Sequence, residues 1–209
     1  MKLKQLILLP ALLVLVSCDG IFGGLYDEPT KNSFGFIQRD DDGHGGTIRL
    51  DATSYTRWSY IDLHHQHIDT ANITLGQDAP FEWDFAIHHY DVKTHDGTAT
   101  ESPFDNVGMA IELEELNFVA DVDSQVVIDM STMMEGYLGY TPSPVNPVLS
   151  HWLDVDLSTM PPIYVLSNKV YLLRLGDGTL VALQFTSFMD ESFAKGIVTL
   201  HYRIINTPK

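Results

Sequence analysis

Apolar residues alternate with polar ones along much of the chain, and the period of that alternation is two. Every second residue from Val198 to Ile204 is apolar, and polar residues stand between them. This spacing places the apolar side chains on one face of a β-strand. Two longer β-type segments, 164–175 and 179–188, flank Gly176-Asp177-Gly178, which is a strong hairpin signal.

Two further segments show the same period. Their apolar positions are Phe81, Trp83, Phe85 and Ile87 in the first segment, and Val126, Ile128 and Met130 in the second. The spacing of apolar residues that is typical of an amphipathic helix is rare elsewhere in the chain. No internal repeat is evident. The pattern therefore predicts an all-β, mainly antiparallel protein with a single folded domain.

The N-terminal residues read as a lipoprotein signal peptide. A basic start is followed by an apolar run from Leu6 to Val16, which is too short to span a bilayer as a mature helix. The run ends in Leu15-Val16-Ser17-Cys18, which looks like a bacterial lipobox. We therefore expect a signal peptide over residues 1–17 and lipidation of Cys18, which predicts a lipid-anchored protein of the bacterial cell envelope.

The residues after the anchor are rich in Gly and Asp and end in Asp40-Asp41-Asp42-Gly43-His44-Gly45-Gly46. That composition favours a flexible spacer over a packed segment. The predicted organisation is a signal peptide at 1–17, a lipidated tether at 18–46 and a β-domain at 47–209.

Charge and cysteine content exclude several classes of function. The 209 residues include 12 basic and 28 acidic side chains, and the net charge is −16. Nucleic-acid binding needs clustered Lys and Arg, so this balance argues strongly against it. The single cysteine excludes an intramolecular disulfide and a CxxC-type zinc or redox site.

Histidines supply one candidate metal site. In a strand, His65 and His67 of the segment His64-His65-Gln66-His67 would share a face and offer two imidazoles to zinc or copper. Polar histidines at strand ends or in loops are the more common explanation of such a segment. Catalytic motifs such as GxSxG and HExxH are absent from the sequence. We therefore predict that the protein is not an enzyme.

Methionines supply the other candidate. Four of the six after the initiator lie between residues 130 and 160, at Met130, Met133, Met134 and Met160. Met130 extends an apolar face and is most simply a core residue. Met133 and Met134 precede Gly136, and Met160 stands in a stiff loop before two prolines. Thioether sulfur is a soft, neutral ligand for haem iron or Cu(I), although gap-filling in a core is the alternative.

The domain resembles the HmuY family of haem-binding bacterial lipoproteins over most of residues 48–205. No single motif of the resemblance is as specific as a metal signature, but the order and spacing of the motifs match throughout. The matching segments are IRLDATSY at 48–55 with Trp58 and Tyr60, WDFAIHHYDV at 83–92, YVLSNKV at 164–170, the Gly176-Asp177-Gly178 turn, QFT at 184–186, and KGIVT at 195–199.

This resemblance implies a haemophore-like protein that binds haem b non-covalently. Members of the family take haem from host haemoproteins and pass it to a TonB-dependent receptor in the outer membrane. The best-known member ligates iron with two histidines. Here the segment matching the first histidine contains Met133 and Met134, and Leu157 lies where the second would be, with Met160 three residues on. The resemblance therefore implies iron held by Met160 and one of Met133 or Met134.

Charge raises one objection to this ligand, because an acidic protein repels the two propionates of haem on average. Local cations such as Arg57, Lys93 or Lys169 could offset the repulsion, or the propionates could face solvent. We expect aromatic residues of the loops, Tyr137, Tyr140 and Trp152, to cover the macrocycle. A lipoprotein that binds a glycan or a peptide, and one with a His-ligated transition metal, remain the alternatives.

Overall fold

The computed structural model describes residues 30–32, 34–105, 107, 116–156, 158–159 and 161–206. The predicted signal peptide, Cys18 and the first part of the predicted tether lie outside the described residues. Within the described part of the chain, no helix has the length and apolar character needed to cross a bilayer.

The described residues form β-strands joined by turns and three short 3₁₀ segments. The strands are β1 (Thr30–Asn32), β2 (Gly35–Arg39), β3 (Gly45–Asp51), β4 (Arg57–Asp62), β5 (His67–Asn72), β6 (Phe85–His88), β7 (Asp91–Thr94), β8 (Thr98–Glu101), β9 (Val119–Ala120), β10 (Val122–Asp129), β11 (Gly139–Val145), β12 (Leu153–Asp156), β13 (Ile163–Leu166), β14 (Val170–Arg174), β15 (Leu180–Met189) and β16 (Lys195–Asn206). The prediction of an all-β, antiparallel fold is confirmed.

Two sheets pack face to face around the main core. The larger has eight strands in the order β1-β2-β3-β16-β15-β14-β8-β9, and the smaller has four in the order β5-β4-β6-β7. The side chains between them are almost fully buried, and they include Leu50, Ile61, Phe85, Leu183 and Leu200. Burial of so many aliphatic and aromatic groups is the main stabilising contribution to a sandwich of this kind.

The predicted C-terminal strand and hairpin are both present. Val198, Leu200 and Tyr202 are buried in β16, which pairs with β3 and β15. The turn between β14 and β15 is stabilised by Asp177, whose carboxylate accepts a hydrogen bond from the Thr179 backbone N–H at 2.8 Å.

The prediction that the chain is a spacer up to residue 46 is wrong for its last part. Residues 35–39 and 45–46 lie in β2 and β3, and Ile37 is buried in the main core. Gly46 is a packing residue rather than a sign of flexibility, because a Cβ atom there would lie 2.2 Å from the Gln38 carbonyl oxygen. The folded domain therefore begins well before residue 47.

The apolar residues from Phe81 to Ile87 do not share the one strand face that was predicted, but pack in two different clusters. Only Phe85 and Ile87 lie in a strand and enter the main core, whereas Phe81 and Trp83 pack in a second cluster on the outer face of the smaller sheet. The chain is redirected at Asp84, whose carboxylate accepts a hydrogen bond from the Leu63 N–H at 2.7 Å. That second cluster also contains Val126 and Val145, so the β10–β11 hairpin packs over this face.

Candidate functional site

Two hairpins stand apart from the large sheets, and each forms a two-stranded sheet of its own. β10 pairs with β11, and β12 pairs with β13. The tip of the first hairpin carries the 3₁₀ segment Met133–Glu135, which ends at Gly136 with a φ of 85°. The tip of the second is the loop over residues 157–162, in which Leu157 and Met160 lie outside the described residues.

Met133 and Met134 are neighbours on the first tip but differ in exposure. The Met134 side chain is 82% exposed, whereas Met133 is half-buried. Asp129 stabilises the approach to the tip by accepting a hydrogen bond from the Ser131 N–H at 2.8 Å. Both thioethers are therefore held on one short turn within reach of solvent, and the choice between them as a ligand stays open.

The β6–β7 turn lies at the base of the two hairpins, and two adjacent histidines fix it to the β3–β4 loop. His89 has a φ of 54°, in the left-handed region that residues other than glycine seldom adopt. Its Nδ1 lies 3.1 Å from the Ala52 carbonyl oxygen, and its Nε2 lies 2.8 Å from the Tyr55 hydroxyl. The imidazole can therefore donate to the carbonyl and accept from the phenol, which strengthens both hydrogen bonds.

His88 is buried beside this pair and contacts the same loop. Its Nε2 lies 2.7 Å from the Tyr55 carbonyl oxygen. Its Nδ1 has no hydrogen-bond partner within the described residues and lies 3.5 Å from the Asp91 carboxylate. Together the two histidines hold Tyr55 through its backbone and through its side chain, so they are structural groups rather than exposed ligands.

A continuous row of rings connects this turn to the second hairpin. Ring centroids are 5.1 Å apart for Tyr90 and His89, 5.2 Å for His89 and Phe188, and 5.3 Å for Phe188 and Tyr164. The row ends at Lys195, whose ammonium lies 4.0 Å from the centroid of Tyr164. We call these five residues the ring row.

Both hairpins are joined to the β6–β7 unit. β11 packs against β7, and the backbone N–H of Asn146, directly after β11, donates to the Val92 carbonyl oxygen at 2.7 Å. Trp152, directly before β12, donates its indole N–H to the Tyr90 carbonyl oxygen at 2.9 Å. Burial, with the neighbouring Asp91 carboxylate, raises the pKa of Tyr90 to about 12. We call the region around the β6–β7 turn and the two hairpins the hairpin end of the molecule.

One of the three aromatic residues expected to cover a ligand is buried in the core and cannot contact one. Trp152 is fully buried, stacks on Phe185 with ring centroids 4.4 Å apart, and donates its indole N–H to the Tyr90 carbonyl oxygen at 2.9 Å. It is a core residue that supports Tyr90. Tyr137 and Tyr140 are exposed on the first hairpin, by 71% and 52%, as that expectation requires.

The histidines of the segment 64–67 do not form the strand pair that was expected. His64 and His65 lie in the β4–β5 turn, Gln66 has a φ of 55°, and only His67 enters β5. His65 instead bonds to Asp62, with 2.6 Å between Nδ1 and the carboxylate.

The β4–β5 turn borders a cleft of about 450 Å³ at the opposite end of β4, β6 and β7 from Tyr90. We call this region the turn end. The residues that line the cleft include three histidines and five carboxylates, at His64, His65, His95, Asp62, Glu82, Asp84, Asp96 and Asp177. Within the described residues, no group of three or more such side chains could hold a metal ion as arranged.

The three cations expected to offset the negative charge are engaged elsewhere. Lys93 lies over the rings of Trp58, Tyr60 and Trp83, at 4.4, 4.9 and 5.2 Å from their centroids, and burial lowers its pKa to about 8. Lys169 pairs with Glu101 at 2.8 Å. The Arg57 guanidinium lies over Phe34.

Sequence reasoning did not select the ring row as part of a site. Tyr90, Tyr164 and Lys195 all stand in segments that carried the family resemblance, but no spacing rule joins residues so far apart in the chain. Only the packing of three separate turns brings them together.

Comparison with known proteins identifies the family. The family model described as HmuY protein matches residues 54–202, which is well over half of the chain. This protein therefore belongs to the HmuY family, as the sequence resemblance predicted.

Solved structures agree with that assignment. A HmuY-like haem-binding protein from Bacteroides vulgatus is 45% identical, with a TM-score of 0.75 over 81% of this chain and 97% of its own. A lipoprotein from Bacteroides fragilis is 44% identical, with a TM-score of 0.74 over 86% of this chain and 100% of its own. The apo HmuY analogue of Tannerella forsythia, at 22% identity, shares the fold, with a TM-score of 0.66 over 88% of this chain and 100% of its own.

A curated plant protein gives a weaker match. Rhodanese-like domain-containing protein 7 of Arabidopsis thaliana is 29% identical over 145 residues, which are 64% of this chain. The chain spans only 28% of the length of that protein.

Proposed function

We propose that this protein binds haem at the hairpin end, with the iron held by the sulfur of Met160 and that of Met133 or Met134. It would act as a lipoprotein anchored through Cys18 in the bacterial envelope, at the outer membrane. There it would take haem from host haemoproteins and release it to a TonB-dependent receptor. A relative of 45% identity described as haem-binding supports the ligand class.

The observation that carries this proposal is the attachment of both hairpins to the β6–β7 unit, through Asn146 and Val92 for the first and through Trp152 and Tyr90 for the second. Each hairpin contains one of the two methionine segments in its sequence. Their common attachment supports a ligand site to which both segments contribute. Apolar and aromatic side chains exposed on the first tip fit a flat apolar macrocycle.

The chemistry of the thioether predicts which oxidation state is favoured. A neutral, soft sulfur stabilises ferrous iron over ferric iron, so binding should be stronger under reducing conditions. A thioether also does not titrate, whereas an imidazole binds iron only in its neutral form.

The first experiment is a Soret titration of the reduced protein with haem. We expect Met160→Ala and the double change Met133→Ala with Met134→Ala each to alter the Soret band and weaken binding at least tenfold, because each would remove one of the two sulfur ligands proposed for the iron. Met189→Ala, on a partly exposed methionine in β15, is the matched control and should bind as the wild type does. Unchanged spectra for both ligand variants would contradict methionine ligation.

The same titration at different pH values separates sulfur from imidazole ligands. With methionine ligands, binding to the folded protein should persist to about pH 5, below the usual histidine pKa of about 6.5. Loss of the complex across that pKa with the fold intact would indicate His64, His65, His67 or His151 instead. Absence of any Soret change with ferric or ferrous haem would favour a glycan or peptide ligand.

A further inference from the structure

The hairpin end contains a free positive charge although the whole chain is strongly acidic. Lys195 is exposed, and within the described residues no carboxylate lies at salt-bridge distance from its ammonium. Its position over the Tyr164 ring, 4.0 Å from the centroid, keeps it beside the second hairpin. An exposed ammonium without a carboxylate partner attracts an anion locally although the chain as a whole is acidic.

Two hydroxyl groups of the same row are available to a ligand. The Tyr55 hydroxyl is bonded to His89, whereas the half-buried side chains of Tyr90 and Tyr164 form no hydrogen bond within the described residues. Burial raises the pKa values of both phenols, so both remain protonated and able to donate at neutral pH. A neutral donor accepts a carboxylate without adding negative charge to the site.

We propose that Lys195 and the hydroxyls of Tyr90 and Tyr164 bind the propionate carboxylates of haem. This inference rests on the proposed function and resolves the objection that an acidic protein should repel an anionic ligand. The ring contacts from Tyr90 through His89 and Phe188 to Tyr164, with the Lys195 ammonium over Tyr164, link the residues of the three donors in one row. The macrocycle then contributes apolar burial, and this row of donors determines which edge of the haem lies against it.

The cations first considered for this role are poorly placed for it. Lys93 is enclosed by three aromatic rings and donates to the Tyr60 hydroxyl at 3.1 Å. Lys169 is already paired with Glu101. Lys195 differs from Lys93 because it is exposed, and from Lys169 because no carboxylate among the described residues pairs with it.

The test compares haem with its dimethyl ester, in which both carboxylates are blocked and the iron and macrocycle are unchanged. Soret titrations are run with both ligands on the reduced full-length protein in one detergent-containing buffer. Lys195→Gln should weaken haem binding about fivefold and leave ester binding unchanged. Tyr90→Phe with Tyr164→Phe should weaken haem binding about tenfold and ester binding less, because the rings are retained and an ester carbonyl accepts a weaker hydrogen bond than a carboxylate does.

Lys169→Gln is the matched control and should leave both affinities unchanged. The inference is overturned if Lys195→Gln binds haem as the wild type does, or if it weakens haem and ester equally. A wild type that binds neither compound contradicts the proposed function itself, whereas a wild type that binds both equally contradicts only the role of the propionates. The two failures are therefore distinguishable.

Discussion

The two ends of the sandwich have different chemistry although the same strands run through both. The hairpin end presents thioethers, neutral phenols and the exposed ammonium of Lys195. The turn end presents a cleft lined by imidazoles and carboxylates. The histidines of the hairpin end, His88 and His89, are buried and bonded to the β3–β4 loop, whereas those of the cleft face solvent. The difference teaches that the same residue type holds the fold together at one end and lines an open surface at the other.

Replacement of Trp152, which packs in the core next to Tyr90, should have the largest effect on stability. Trp152→Ala deletes a fully buried ring that stacks on Phe185 and loses the hydrogen bond to the Tyr90 carbonyl. We expect a loss of about 4 kcal/mol in the free energy of unfolding, measured by urea denaturation. Trp83→Ala at the turn end, where the ring is only half-buried, is the comparison and should cost less. Equal losses would mean that the hairpin end has no special dependence on its core.

The pH dependence of stability should be traceable to the hairpin end. Burial lowers the pKa of His89 to about 4 in the folded protein, below its ordinary value in the unfolded chain. The unfolded chain therefore binds more protons between these two values, and stability falls as the pH decreases through that window. The contribution of His89 amounts to about 3 kcal/mol between pH 6.5 and pH 4.

The variant His89→Asn tests this because asparagine does not titrate and tolerates a positive φ. We expect its free energy of unfolding to vary less between pH 6.5 and pH 4 than that of the wild type. Gln66→Asn, which places asparagine at another position of positive φ and removes no titratable group, is the control and should keep the wild-type slope. A wild-type slope for His89→Asn would show that His89 is not the source of the pH dependence.

Changes at the turn end should have the smallest effect. The triple variant His64→Gln, His65→Gln and His95→Gln removes every imidazole of the cleft. Because these side chains are largely solvated, we expect a change of at most about 1 kcal/mol in stability and the wild-type Soret spectrum with haem. A lost or shifted Soret band would indicate that haem binds at the turn end rather than at the hairpin end.

Local patterns predicted the sheet correctly where one face of a strand is buried. The alternation in β16 and the Asp177 turn are set by neighbouring residues, so a short window of sequence contains the signal. The β4–β5 turn was misread because His64 to His67 carries no periodicity that separates a turn from a strand. Gly45 and Gly46 were misread because a glycine at a close contact looks the same in sequence as one in a spacer.

The sequence predicted the residue types of the candidate site but not their spatial arrangement. Two methionine-bearing segments could be recognised from their residue types and their prolines, but the ring row could not. Tyr90, Tyr164 and Lys195 meet through contacts between β6–β7, β12–β13 and β15–β16, which are far apart in the chain. Trp152 was expected at the surface because aromatic residues near a loop resemble ligand contacts until their burial is known.

The separation of the two hairpins from the main sheets has a consequence for hydrogen exchange. Each hairpin pairs only with itself, and isolated two-stranded ribbons are barely stable in water without support. Amide protons should therefore be protected in β14, β15 and β16 and should exchange progressively faster toward the Met133–Glu135 tip. The two hairpins beside the proposed site should therefore open as local units while the sandwich, which contains Phe188 and Lys195 of the ring row, stays folded, and this opening would admit a rigid, flat ligand.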